Sequence, residues 1–193
     1  MSAGAYGVVM TLADILPNAP TTTAEALALF DELPAVAPEF MHGSWRGAEV
    51  PTGHPLDGLL ASSGWWGKQF IDAETVHPLL FPTCDRKALW ALNPVLAFTG
   101  LGVFTRIPPL KRWNFAGLIR TLSPLLKTHA PKARLRTTRY RGVDTATMIY
   151  DQVPINDVFH KLDDNSVLGA MDLRGSADPY FFVLQRDDSL PRG

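Results

Sequence analysis

Ala133-Arg134-Leu135-Arg136-Thr137-Thr138-Arg139-Tyr140, followed by Arg141-Gly142-Val143-Asp144 and then Thr145-Ala146-Thr147-Met148-Ile149-Tyr150-Asp151, decides how this chain is read. Apolar and charged side chains alternate in the first run, and the last is rich in β-branched residues. A period of two on both sides of a glycine turn describes an antiparallel hairpin. Toward higher numbers, Ile155–Leu162, Val167–Leu173 and Tyr180–Arg186 continue the series, parted by Asp163-Asp164-Asn165-Ser166 and by a loop from Gly175 to Pro179. Toward lower numbers, Gly67–Phe81 reads as two extended segments joined around Asp72-Ala73-Glu74, and another extended run begins near Gly43. About eight strands result, mostly antiparallel neighbours. Closing them removes exposed edges, and a barrel of about eight strands can enclose one small ligand.

The first of these strands holds Gly43-Ser44-Trp45-Arg46-Gly47. Glycine lets backbones approach closely, and a tryptophan ring can plug the end of a barrel. Gly43-x-Trp45-x-Gly47 resembles the signature of GXWXG-domain proteins, a bacterial and plant family. Tyr140-Arg141-Gly142, Ala146–Asp151, Pro154-Ile155 and Gly169-x-Met171-Asp172 resemble the domain of unknown function usually fused to it. Lipocalins and related barrels also place Gly-x-Trp in their first strand. The expected fold is therefore α+β and mainly β: an antiparallel lipocalin-like β-barrel with an N-terminal helix and a helical insertion.

The organisation expected is an arm at 1–21, a helix and the first half of the barrel at 22–85, and an apolar, basic helical lid at 86–131. Strands at 132–187 complete the barrel, and 188–193 form a tail. Thr22-x-x-Glu25 is a capping box ahead of Ala26, Leu27, Leu29, Phe30 and Leu33, and Pro34 and Pro38 end that helix, which is expected across one end of the sheet. Asp57 is expected to cap a helix carrying Leu59, Leu60, Trp66 and Phe70. Trp113–Leu126 has the spacing of an amphipathic helix.

Hydrophobic residues are 46% of the 193 and charged residues 19%, which leaves room for an apolar cavity as well as a core. Cys84 is the lone cysteine, so there is no internal disulfide and the cytoplasm is the expected compartment. Met1–Leu16 lacks a basic start and is broken by Asp14, so it is read as an arm. Ala88–Phe104 carries no charge but is too short and too interrupted for a membrane span.

Charge is strongly segregated. No acidic residue lies between Asp85 and Asp144, whereas twelve of the 18 lysines and arginines do. The basic segment 86–141 suggests a surface for anionic lipid or phosphorylated ligands, and so a membrane-surface or partner-binding protein, unless acids from elsewhere fold beside it. Single-stranded nucleic acid is the weaker reading of the same arginines. Oligomeric state is open.

For function, a barrel lumen lined by alternate aromatic and apolar side chains points to binding of a hydrophobic small molecule, lipid-like or isoprenoid-like and possibly anionic. Trp45, Trp66, His77, Tyr140, Met148, Tyr150 and Met171 are the expected lining, with Arg46 or Lys68 anchoring a polar end. The alternative is a cofactor-independent isomerase, cyclase or lyase in which His77, Asp151 or Asp157 moves a proton, since a carboxylate in an apolar pocket has a raised pKa. His42, His54, His77, His129 and His160 lack metal-ligand spacing, so no metal is expected. Axial histidine ligation of haem is kept open by analogy with another small barrel family. Neither a nucleophile elbow nor a phosphate loop occurs.

Overall fold

The alternation around Gly142 builds what it implies. In the computed structural model, which describes residues 11–97 and 116–193, the strands are β1 (Gly43–Glu49), β2 (Gly67–Phe70), β3 (Val76–Pro82), β4 (Leu89–Leu92), β5 (Lys127–Thr128), β6 (Ala133–Tyr140), β7 (Val143–Tyr150), β8 (Ile155–Lys161), β9 (Ser166–Leu173) and β10 (Tyr180–Arg186). They pair antiparallel in the order β2-β1-β10-β9-β8-β7-β6-β3, and β3 returns to β2. That closure makes an eight-stranded lipocalin-like barrel, with β4 and β5 added beside the second half of β3. The closing seam is thin: β3 meets β6 at one residue pair, Val76 with Ala133.

Period two sorts the side chains. Inside lie Trp45, Phe70, Met148, Tyr150, Ile155, Phe159, Met171, Phe182 and their neighbours. The outward Val158, Leu168, Ala170, Phe181 and Val183 are also buried, because α2 (Thr23–Glu32), which follows the short α1 (Leu12–Ile15), lays Ala26 and Phe30 on them. The capping box forms as read: the Glu25 amide donates to Thr22 Oγ1 at 3.2 Å, and the Thr22 amide donates to Glu25 at 3.2 Å. The helix lies along the wall, not across the end, because β8, β9 and β10 carry apolar residues on both faces. A third apolar cluster, Trp66, Leu80, Leu89 and Ala91, lies outside the lumen under Leu190. The Leu89 amide donates to Pro191 O at 2.8 Å, pinning that segment.

Each residue of the Gly-x-Trp-x-Gly run has a local task. Gly43 has φ of +119°, open to glycine but strained for other residues. Trp45 is fully buried, its Nε1 donating to Met41 O at 2.6 Å. At Gly47 a Cβ would stand 2.1 Å from the Trp65 ring, so the missing side chain is the space that ring fills.

Two local readings change. Asp57 caps no helix: its carboxylate accepts from the amides of Thr52 (3.1 Å) and Gly53 (2.8 Å), tying a loop, and α3 (Leu59–Ser63) starts after Gly58 in the left-handed region. The segment expected as a helical insertion contributes β4 near its start and β5 near its end, and short helices at Ala116–Thr121 and Ser123–Leu126 precede β5. Trp113 and its neighbours within 98–115 lie outside the described residues. Pro124, which has no amide hydrogen, sits at the start of the second helix and divides what was read as one.

Candidate functional site

Along β8 the inward positions are Ile155, Asp157 and Phe159: a carboxylate in the middle of an apolar row. Inward on β2, Lys68 precedes Phe70. Barrel closure brings the two charges together, with Lys68 Nζ 2.8 Å from Asp157 Oδ2 and side chains only 4% and 1% exposed. The ammonium also donates to Pro78 O at 3.3 Å and, more weakly, to the Tyr150 hydroxyl at 3.5 Å. It lies 5.0 Å from the centre of the Phe182 ring and 5.4 Å from that of Trp65, within range of cation–π attraction. Asp157 Oδ1 receives no hydrogen bond among the described residues.

A cavity opens beside this pair. Leu56, Leu59 and Leu60 close it from the α3 side; Trp65, Leu79, Met171 and Phe182 supply apolar wall; Lys68, Asp157, Tyr150 and Tyr180 supply the polar atoms. It holds 40 Å³ of space for the centres of water-sized molecules. One water needs about 10–15 Å³ on that measure, so the cavity takes on the order of three waters or five to seven non-hydrogen atoms. The loop above it is braced. Tyr180 donates to Glu49 at 2.8 Å, the other Glu49 oxygen accepts from the Gly58 amide at 3.0 Å, and His54 Nδ1 accepts from the Leu56 amide at 3.1 Å.

Burial sets the electrostatics. It pushes the Asp157 carboxyl above the usual carboxylate range, against the opposing pull of Lys68. Burial, reinforced by the Asp157 charge, raises the Tyr150 phenol well above its ordinary value, and burial followed by the Glu49 charge raises Tyr180. Both phenols are therefore neutral hydrogen-bonding groups at pH 7.

Of the residues expected to bind a ligand, Lys68, Tyr150 and Met171 border this cavity, as does the proton-transfer candidate Asp157. Trp45 and Met148 lie in the inner core but away from the cavity wall. Trp66 points to the outer cluster, and Tyr140 packs edge-on against Phe30 beneath α2. Arg46, opposite Gly67 and Gln185, alternates with the inward Trp45 and does not border the cavity. His77 sits on the outer side of β3 against Arg192, because β3 turns Val76 inward. Burial first, then the Arg192 charge, lowers its pKa to about 4. Asp151 is at the surface, 3.0 Å from Arg134. Leu56, Leu59, Leu60, Leu79, Trp65, Tyr180 and Phe182 were not among the expected lining. The strand aromatics and Asp157 carry a signal in sequence, since a lone acid on an apolar inward row marks a site; the leucines of α3 carry none.

No histidine occurs in the described lining, and the described residues contain no cluster of three or more metal-ligating side chains. No described helix is long and apolar enough to cross a membrane. The β6 arginines are matched by acids from elsewhere: Arg134 by Asp151, Arg136 by Glu74 and Arg139 by Asp144; Arg141, in the following turn, pairs with Asp31.

Comparison with known proteins agrees with the fold. Residues 28–85 match the family described as GXWXG protein, and residues 131–186 match a domain of unknown function, DUF4334. The crystal structure of a protein from Thermomonospora curvata is similar over 91% of this chain and 95% of that one, at 31% identity and a TM-score of 0.65. No curated protein matches the chain.

Proposed function

Since the chain belongs to the GXWXG family with its C-terminal DUF4334 domain, whose descriptions assign no chemistry, we propose from the site alone that it binds a small, mainly apolar molecule bearing one polar group. The observation that carries this is the buried Lys68–Asp157 pair on the wall of an apolar cavity. Two charges taken out of water cost several kcal/mol each, and apolar side chains of similar size often hold a core together as well or better. A pair kept in such a place is accounted for by a ligand that uses it. The lipid-like molecule expected from the strand pattern is narrowed by volume to a short branched or cyclic compound, of about the size of one isoprene unit. Charge narrows it further. Lysine and aspartate cancel, so an anionic ligand would leave an unbalanced charge in a low dielectric unless Asp157 took a proton. A carbonyl or hydroxyl suits the pair best.

The test is native mass spectrometry of the protein as purified, followed by denaturing extraction, with titration of cyclohexanone and 3-methylbut-2-en-1-ol followed by tryptophan fluorescence. A stoichiometric small molecule, or saturable binding that disappears in Lys68→Met/Asp157→Leu, is the expected result. A clean mass with no saturable response to either compound at millimolar concentration overturns the reading.

A second reading rests on Leu118, Leu122 and Leu125, exposed at 51%, 37% and 76% beside Arg120 and Lys127. Apolar residues flanked by cations suit the surface of an anionic membrane. Sedimentation with phosphatidylserine vesicles that is lost in Leu118→Ser/Leu125→Ser supports it; sedimentation unchanged in that variant counts against it.

A further inference from the structure

Resting on that ligand reading, we infer that Lys68, Asp157 and Tyr150 form a proton-transfer centre for a small enolisable ketone, in which Asp157 carries a proton between two carbon atoms and Lys68 holds the carbonyl oxygen. Moving a proton from carbon next to a carbonyl needs three things in one place: a base within reach, a positive donor at the oxygen, and little water. Asp157 Oδ1 is unoccupied by any hydrogen bond among the described residues, Lys68 Nζ lies 2.8 Å from the other oxygen of the same carboxylate, and both border one largely apolar cavity. The Lys68 contact to Tyr150, at 3.5 Å, is the longest of its three polar contacts. A carbonyl oxygen replaces that contact most cheaply and then lies beside the phenol as well.

The step conserves atoms and charge. Asp157 takes the proton from the α-carbon of a β,γ-unsaturated ketone; the C–H electron pair becomes a carbon–carbon double bond, and the carbonyl π pair moves onto oxygen. The resulting dienolate oxygen is held by the Lys68 ammonium. Asp157 returns its proton to the γ-carbon as the carbonyl re-forms, so the double bond shifts into conjugation and the protein is regenerated without oxidant, reductant or second substrate. One negative charge is present throughout and merely moves from Asp157 to the substrate oxygen, always beside Lys68. In a low dielectric that is far cheaper than creating a new charge. The raised affinity of Asp157 for its proton brings acid and base forms nearer to balance. Asp157 is the one carboxylate in the described lining, so chemistry needing a flanking pair of acids, such as glycoside hydrolysis, does not fit.

The experiment uses 3-cyclohexen-1-one as substrate and phenol, a neutral relative of the dienolate, as a binding probe. Isomerisation is followed by absorbance of the conjugated ketone, and α-proton exchange by NMR in deuterium oxide. Wild type is expected to catalyse both saturably. Asp157→Asn should lose on the order of 10²–10⁴-fold in rate at saturating ketone, where weaker binding no longer limits it. If the asparagine variant does not fold, Asp157→Glu substitutes: with the base kept but displaced, exchange should persist at a reduced rate. Phenol binding without isomerisation or exchange in wild type, or full rates in Asp157→Asn, overturns proton transfer and leaves the ligand reading intact. Absence of saturable binding by both compounds overturns the two together.

Discussion

Gly47 and Lys68 are both legible in the sequence, but for different reasons. The Gly-x-Trp-x-Gly run identifies Gly47 as a place of close approach, yet what approaches, the Trp65 ring, is set by the return of the chain through β2. A methyl group at 2.1 Å from that ring must push it toward the cavity. Gly47→Ala should therefore cost about 1–3 kcal/mol, read as a lower urea midpoint, and should also weaken cyclohexanone binding, since Trp65 is a cavity wall. Lys68 poses a different question. Its charge is visible in sequence, but its partner is not, because nothing local joins β2 to β8. Lys68→Met leaves the Asp157 carboxylate buried and uncompensated, for a loss of about 3–5 kcal/mol at pH 7, whereas Lys68→Met/Asp157→Leu should regain most of it or exceed wild type. The sign with pH follows from the raised Asp157 pKa. The folded state holds that proton more readily than the unfolded chain, so the Asp157 contribution is fully present below the ordinary carboxylate range and is lost as pH rises through the folded value. Losing the ammonium pushes the carboxyl further up, so Lys68→Met should recover relative to wild type as pH falls. A double variant no more stable than Lys68→Met would refute this account of the pair.

At the scale of elements, the strands after Lys132 were legible almost residue by residue, because the turns at Gly142 and Asp163–Ser166 are written locally. Placement was not. α2 was recognisable from Thr22 and Glu25, but its seat on the wall depends on the outward Val158, Leu168 and Phe181, which no helix pattern reveals. β3 shows the same limit: His77 reads as inward until the register puts Val76 inside and His77 beneath the segment that carries Arg192. Its pKa of about 4, below the ordinary 6.5, gives this element a pH dependence. Between those values the unfolded chain binds the proton and the folded chain does not, so stability is full above pH 6.5 and falls as pH drops toward 4. At about 1.4 kcal/mol per pH unit the total is at most about 3.5 kcal/mol. His77→Gln should flatten this part of the stability curve relative to wild type in urea titrations between pH 6.5 and 4. Parallel curves would mean that neither burial nor the Arg192 charge couples His77 to folding.

Over the whole molecule, the barrel closes unevenly. β8 and β9 pair along seven positions, from Ile155–Leu173 to Lys161–Val167, while β3 and β6 share the single pair Val76–Ala133. Around that pair the seam is held by the Lys132 amide donating to Val76 O at 3.1 Å, the Leu135 amide donating to Ala73 O at 2.8 Å, and Arg136 donating to Ala73 O at 2.9 Å. Ala133 also pairs with Tyr150, a cavity residue, so the weakest line of the barrel runs beside the site. Sequence could not show this: the two strands are separated by the segment that makes β4 and β5, and closure is a property of the finished sheet. Local openings follow the least bonded boundary and need not involve global unfolding. Amide hydrogen exchange should therefore be faster at Lys132 and Leu135 than at Val158 and Ala170 in the β8–β9 ladder. Arg136→Ala removes its bond to Ala73 O and its ion pair with Glu74 and should speed exchange at Leu135 several-fold, corresponding to about 0.5–1.5 kcal/mol for the hydrogen bond and at most about 1 kcal/mol for the exposed pair, while leaving β8 and β9 unchanged. If all four amides exchange at one rate and respond together to Arg136→Ala, the barrel opens as a single unit and the seam has no separate freedom through which the cavity could admit its ligand.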